Sequence, residues 1–186
     1  MFLLKISLTP TDIAGYITGF LALVTFVLSF QMKNRKNLLI LQSVSLVLFA
    51  IQYYLTGAYT GVILEGVCIA RNVTYYFRNK HKFLDSIYIP IIFSTLAIIV
   101  GIFTYANWTS IIPVVANILQ TIGLYIKRER DNRIFFLIGS PLWLTYNFIN
   151  GVWFGVITEF LNIISIVVSI IRIVRIENKE KVTSAN

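Results

Sequence analysis

Two acidic residues stand deep in apolar sequence, Glu65 and Glu159. Each closes the same short pattern, Gly57-x-Tyr59-x-Gly61-Val62-Ile63-x-Glu65 and Gly151-x-Trp153-x-Gly155-Val156-Ile157-x-Glu159. Each lies eight residues past a glycine that ends an apolar run, roughly 12 Å along a helix rising 1.5 Å per residue. An ionised carboxylate at such a depth in a bilayer is costly, so it must face a bundle interior or water. The chemistry it could do is proton or cation coupling, or binding of a polar substrate. The structural alternative is a pair of buried acids that hold helices together by hydrogen bonds.

Other polar residues recur at helical spacing around them. Asn162 lies three residues after Glu159 and shares its helical face; Cys68 holds the matching place after Glu65. In the stretch 140–147, Trp143 and Asn147 lie four apart, with Tyr146 beside them, so an aromatic and an amide could together hold a small polar ring. Gln52 and Tyr53 align with Tyr146 and Asn147 at a shift of 94 residues. Asn117 and Gln120 lie on one face of a helix that also carries Pro113. Pro113 and Pro141 are expected to kink their helices. Arg71 is read as snorkelling to the cytoplasmic interface, the sharper alternative being neutralisation of a buried acid. Gly15 and Gly19, Gly57 and Gly61, and Gly151 and Gly155 have the spacing that lets helices approach closely.

The elements that must position these residues are membrane-spanning helices. Of 186 residues, 57% are hydrophobic and only 13% charged, against about 25% charged in a soluble domain. Seven apolar runs reach the length of a span, over 11–31, 37–55, 58–78, 86–105, 108–126, 133–149 and 152–174. The net charge of +8 is concentrated in four clusters: Lys33, Arg35 and Lys36; Arg78, Lys80 and Lys82; Lys127, Arg128, Arg130 and Arg133; and Arg172, Arg175, Lys179 and Lys181. With seven spans all four fall on one side, and Lys5 alone on the other. Cytoplasmic loops carry the Lys/Arg excess, which puts the N-terminus outside and the C-terminus in the cytoplasm. A nucleic-acid surface would gather its cations beside stacking aromatics, so no nucleic-acid partner is expected. The first run continues to about Phe30 without a cleavage site and is read as a retained helix.

An internal repeat organises the chain. Shifted by 94 residues, Leu48–Arg78 overlays Leu142–Arg172 with eight identities in 31 positions, where chance at this composition gives roughly two or three. The expected architecture is therefore all-α, a single integral membrane domain over 1–186 in a 3+1+3 plan. Residues 11–80 form one triple-helix repeat, 86–105 a linker helix, 108–175 a second, parallel repeat, and 176–186 a cytoplasmic tail. Parallel repeats place substrate near midplane at their interface.

The segments Ile118-Leu119-Gln120-Thr121-Ile122-Gly123, Pro141-Leu142-Trp143-Leu144-Thr145-Tyr146-Asn147 and Gly155-Val156-Ile157-x-Glu159 resemble the YgjV family of bacterial inner membrane proteins. The resemblance covers most of the chain and implies the bacterial inner membrane. The 3+1+3 plan also looks like that of the SWEET, PQ-loop and PnuC transporters. Pro113 resembles the proline of a PQ motif, with Val114 where that motif has glutamine and Gly19 at the corresponding place in the first repeat. By analogy with SWEET proteins, Trp143 and the amides Asn72 and Asn162 would line the pocket.

No metal-ligand spacing, phosphate loop or nucleophile beside a histidine is present in the sequence; no cofactor and no enzymatic activity are expected. The expectation is a carrier for a small polar metabolite in a lipid bilayer, with a non-transporting scaffold, sensor or assembly partner as the alternative. The glycine faces also allow a homo-oligomer.

Overall fold

The computed structural model describes residues 9–29, 32, 35–78 and 80–184; for Arg35 and residues 178–184 the backbone alone is described. Lys5 and Lys33, counted above among the topology cations, lie outside the described residues.

Among the described residues seven α-helices follow one another: α1 (Pro10–Ser29), α2 (Arg35–Leu55), α3 (Tyr59–Tyr76), α4 (Tyr88–Phe103), α5 (Ile111–Tyr125), α6 (Glu129–Ile149) and α7 (Trp153–Ser184). No strand occurs among the described residues. Single 3₁₀ turns, Lys82–Asp85 and Trp108–Ser110, precede α4 and α5. Four helical stretches, Pro10–Ser29, Lys36–Leu55, Trp108–Tyr125 and Trp153–Glu177, are long and apolar enough by themselves to cross a membrane, while α4 is apolar but shorter. The seven expected spans thus correspond to seven helices, four of which reach that length and apolarity. Helices α3 and α6 fall outside the group because an average over both faces counts the polar residues they turn inward, such as Glu65, Arg71 and Asn72 on α3 and Ser140 and Asn147 on α6.

Some boundaries also move. Helix α6 begins at Glu129, four residues before the expected 133, because Glu129 and Asp131 fall in its first turn, where acids complement the partial positive charge of the helix start. Helix α7 runs on without a break through most of the basic tail. Pro113 lies in the first turn of α5, where a missing N–H costs nothing, so it starts the helix rather than kinking it. Pro141 sits inside α6, which continues through it as one helix.

The two hairpins, α2–α3 and α6–α7, are built alike. Gly57 and Gly151 take the left-handed conformation, with φ of +76° and +69°, which a residue with a Cβ adopts only at a cost. The Ala58 N–H donates to the Tyr53 carbonyl and the Val152 N–H to the Asn147 carbonyl, both at 2.9 Å. The Gly57 N–H donates to Tyr54 at 3.2 Å and the Gly151 N–H to Phe148 at 3.3 Å. This double bond pattern ends a helix abruptly and satisfies its last carbonyls. Edge-on ring pairs clamp each turn, Tyr54 with Tyr59 and Phe148 with Trp153. Gly57 and Gly151 are therefore turn formers rather than packing glycines: a Cβ at either would touch nothing within 4 Å. Gly61, Gly155 and Gly19 do permit close packing, with Cβ positions 2.9 Å from the Tyr53 ring, 2.7 Å from Asn147 Nδ2 and 2.5 Å from Gln52 Nε2.

Helix α1 packs on α2 and α7, α5 packs on α6 and α3, and α4 lies against α5 and α3. The interior is unusually polar. Ser45, Gln52, Glu65, Arg71, Asn72, Asn117, Thr121, Ser140, Asn147 and Asn162 are all buried. Large apolar side chains point outward instead, Ile102 and Phe103 of α4 most of all. That inversion suits a chain whose outer solvent is hydrocarbon and whose polar groups must be satisfied within.

Candidate functional site

A polar bridge joins the two hairpins near their turns. Tyr53 leaves α2 one turn before its glycine, and Asn147 occupies the same place on α6. The Tyr53 hydroxyl donates to Asn147 Oδ1 at 2.5 Å, joining positions 94 residues apart. Around this bond the rings of Tyr53, Trp143 and Tyr146 pack with centroids 6.0–6.3 Å apart. Tyr146 turns away and accepts a hydrogen bond from the Gly61 N–H at 3.1 Å. The absent side chain at Gly61 is what brings Tyr53 this close to α3.

From this bridge a cavity of about 640 Å³ extends toward the cation-rich end, where Lys127 and Asp85 line it. Its walls are helical stripes. On α2, Leu39, Gln42, Leu46, Phe49 and Tyr53 line it, a run spaced three and four apart that places them on one face. Glu65, Cys68 and Asn72 do the same on α3, Glu159, Asn162 and Ile166 on α7, and Phe136, Trp143 and Asn147 on α6. Gln120 of α5 completes the lining.

Both glutamates therefore line one cavity, but their surroundings differ. Glu159 accepts a hydrogen bond from Asn162 Nδ2 at 3.4 Å, and Asn162 also donates to Ser140 Oγ at 2.9 Å. Glu65 is buried and its Oε2 has no hydrogen-bond partner among the described residues. Arg71, expected to snorkel, is instead buried and lines the same cavity. Its Nη1 donates to Thr121 Oγ1 at 3.0 Å, Thr121 donates to Asn117 Oδ1 at 3.3 Å, and Asn117 Nδ2 donates to Cys68 Sγ at 3.0 Å. The Thr121 hydroxyl presented by α5 holds the guanidinium inward. Its Nε has no partner among the described residues.

Of the sequence candidates, Glu65, Glu159, Asn162, Trp143, Asn147, Asn72 and Gln120 meet at the cavity. Tyr146, Gln52 and Asn117 do not line it: Gln52 is buried against Gly19, and Asn117 supports Cys68 and Thr121 from behind. Sequence reasoning passed over Tyr53 and Arg71 as site residues. The alignment of Tyr53 with Asn147 was a signal for the first, and the rarity of a cation inside a span was a signal for the second.

The basic end carries a second feature that sequence did not suggest. Arg78, past the end of α3, donates through Nε to Asp85 Oδ1 at 2.5 Å, and its Nη2 also contacts that oxygen. Nη2 donates to the carbonyl of Tyr125 at 3.2 Å as well, at the C-terminal end of α5 where a cation is favoured. Lys127 Nζ meets Asp85 Oδ2 at 2.8 Å. Lys127 and Arg78 together hold the Asp85 carboxyl below the usual aspartate range. Across the mouth, Arg128 and Arg130 pair with Glu177 of α7 at 3.6 and 3.3 Å. The cations of this end are thus partly structural, joining α3 to α5 and α6 to α7.

Among the described residues no group of three metal-ligating side chains comes together. The model of the Imp-YgjV family, bacterial inner membrane protein, matches residues 13–177 of the chain. Neither a curated protein nor a solved structure matches it.

Proposed function

This chain belongs to the Imp-YgjV family of bacterial inner membrane proteins, and from that premise we propose that it is a carrier for a small polar metabolite rather than an enzyme. The observation that carries the reading is that Glu65 and Glu159, from equivalent places in the sequence repeat, line one cavity that reaches the basic end.

The architecture of the proposal is two parallel triple-helix repeats, α1–α3 and α5–α7, joined by α4 as a single crossing. A shift of 94 residues carries α2 onto α6, α3 onto the first part of α7 and the later part of α1 onto α5. The hairpin hydrogen bonds match at that shift, and α1 packs on α7 as α5 packs on α3. Residues that are equivalent in two repeats touch each other only near the axis relating them, which is where the Tyr53–Asn147 bond would lie. By the Lys/Arg excess the basic end is cytoplasmic, with the N-terminus outside and the C-terminus inside. The cavity is then open inward, and the Tyr53–Asn147 bridge with its aromatic collar closes the outer side. Rocking of one triple bundle against the other would break that bridge and form an inner closure instead.

The test is a ligand-dependent thermal shift on the purified protein with sugars, amino acids, nucleosides and vitamin precursors, followed by uptake into proteoliposomes. A bound solute at 100 times its Kd stabilises the folded state by about 2.7 kcal/mol. The expected result is a class of solutes that stabilises the native protein, is taken up, and loses its effect in Glu65→Gln or Glu159→Gln. If no solute binds or crosses and both variants are only less stable, the glutamates are structural and the protein is a scaffold or assembly partner.

A further inference from the structure

Two side chains of the cavity wall, an acid and a guanidinium, each hold an unsatisfied atom. Glu65 Oε2 and Arg71 Nε are each buried without a hydrogen-bond partner among the described residues, and both side chains line the same space. No ion pair joins them among the described residues. Their Cα atoms are six residues apart on α3, roughly 9 Å along the axis. A buried polar atom without a hydrogen-bond partner is expensive, and here an acid and a guanidinium each hold one.

We propose that the cavity takes a zwitterionic solute of the amino-acid class, its ammonium at the Glu65 side chain and its carboxylate at the Arg71 guanidinium. The proposal rests on the carrier reading and deepens it. A zwitterion offers a partner to both side chains and adds no net charge to a buried site. An amine alone would leave Arg71 open, and an acid alone would leave Glu65 open. A neutral sugar offers hydroxyls, which neutralise neither group. Glu159 is the weaker candidate for the ammonium because Asn162 already donates to it. Arg71 is held in place by Thr121 through Nη1. Trp143 and Tyr53 at the closed end offer apolar surface to the rest of the molecule.

The test uses the full chain, purified and reconstituted, with the twenty L-amino acids and 4-aminobutyrate as probes. For the amino acid that binds most tightly, its amine and its acid analogues follow (for leucine, isopentylamine and 4-methylpentanoate). The expected result is stabilisation and uptake of the amino acid, with each analogue bound at least about tenfold more weakly, since charge-assisted contacts are lost singly. Glu65→Gln should remove the preference for the ammonium, so that the acid analogue binds as well as the amino acid. Arg71→Gln should do the converse, with the amine analogue. If Arg71→Gln does not fold, the analogue comparison on the native protein decides alone. Equal binding of an amine analogue and its amino acid by the native protein overturns the inference. So does uptake of a sugar or nucleoside without any amino acid, which leaves the carrier reading standing. Silence for every solute overturns both.

Discussion

Replacing Tyr53 with Phe removes one oxygen atom from the bridge between the two hairpins. The hydroxyl donates to Asn147 Oδ1 at 2.5 Å in a buried setting, so Tyr53→Phe leaves that carbonyl oxygen without its donor. A buried polar atom deprived of its partner costs about 1–3 kcal/mol. If the bond exists only while the outer side is closed, the same free energy biases the conformational equilibrium, by about 5- to 150-fold. The natural reporter is Cys68, the only cysteine in the chain and part of the cavity wall. Its labelling by an impermeant maleimide is read in vesicles of each orientation. In the native protein the basic face gives the faster reaction. In Tyr53→Phe the ratio of rates should fall by at least about fivefold, with a thermal midpoint lower by about 2–4 °C or more. Replacing both partners with apolar groups, Tyr53→Phe with Asn147→Leu, should recover most of the midpoint, because no orphan then remains. Unchanged labelling and an unchanged midpoint in the single variant would show that the bond closes nothing.

Further outcomes follow from the hairpins and the basic mouth. Gly151→Ala meets no neighbour but forces a side chain to a φ of +69°, so it should lower stability by about 1–2 kcal/mol and leave Cys68 labelling unchanged. Gly155→Ala puts a methyl 2.7 Å from Asn147 Nδ2; it should cost about 1–3 kcal/mol and shift the labelling ratio in the direction of Tyr53→Phe. The Asp85 carboxyl is held down by Lys127 and Arg78, so its contribution is complete above the ordinary aspartate value and is lost as pH falls through the lower folded one. Protection of residues 80–87 by these contacts should therefore be complete at neutral pH, and exchange should accelerate, beyond the intrinsic pH effect, only below about pH 4. Asp85→Asn should show the faster exchange already at pH 7.

Much of this architecture is legible in the one-dimensional pattern, because apolar runs, glycine turns and the 94-residue shift are local or periodic properties. The helices lie where the apolar runs are, and the hairpins turn at Gly57 and Gly151. The glutamates, Asn162 and Trp143 come to one cavity because three- and four-residue spacing fixes a helical face once the face is known to be inward. What escaped depends on neighbours distant in sequence. Arg71 is drawn inward by Thr121, fifty residues on, and nothing in its own surroundings reveals that. Asp85 sits in what reads as a plain polar linker, and its partner Lys127 is 42 residues away. Pro113 misled because the helix boundary was placed too early, which turned a first-turn proline into an interior one. The Tyr53–Asn147 bond was half visible: alignment at 94 residues marks two positions as equivalent, but only folding brings equivalent positions into contact.

The abrupt hairpin turns have a consequence for how the chain enters the bilayer. Helix α3, with a glutamate and an arginine in its length, is not apolar enough to partition alone. A charged residue near the centre of a nascent segment costs about 2.5–3.5 kcal/mol at the translocon. Yet α3 is tied to α2, and α6 to α7, by turns too tight to form separately, and α2 and α7 are among the helices apolar enough to cross unaided. Each reluctant helix is thus coupled to a willing one. The expected unit of insertion is the hairpin, with the surplus of the apolar arm carrying the polar arm across. Lengthening either turn with a flexible linker would uncouple the two and expose α3 or α6 to its own partition equilibrium, a failure of biogenesis that leaves every contact of the finished protein nominally intact.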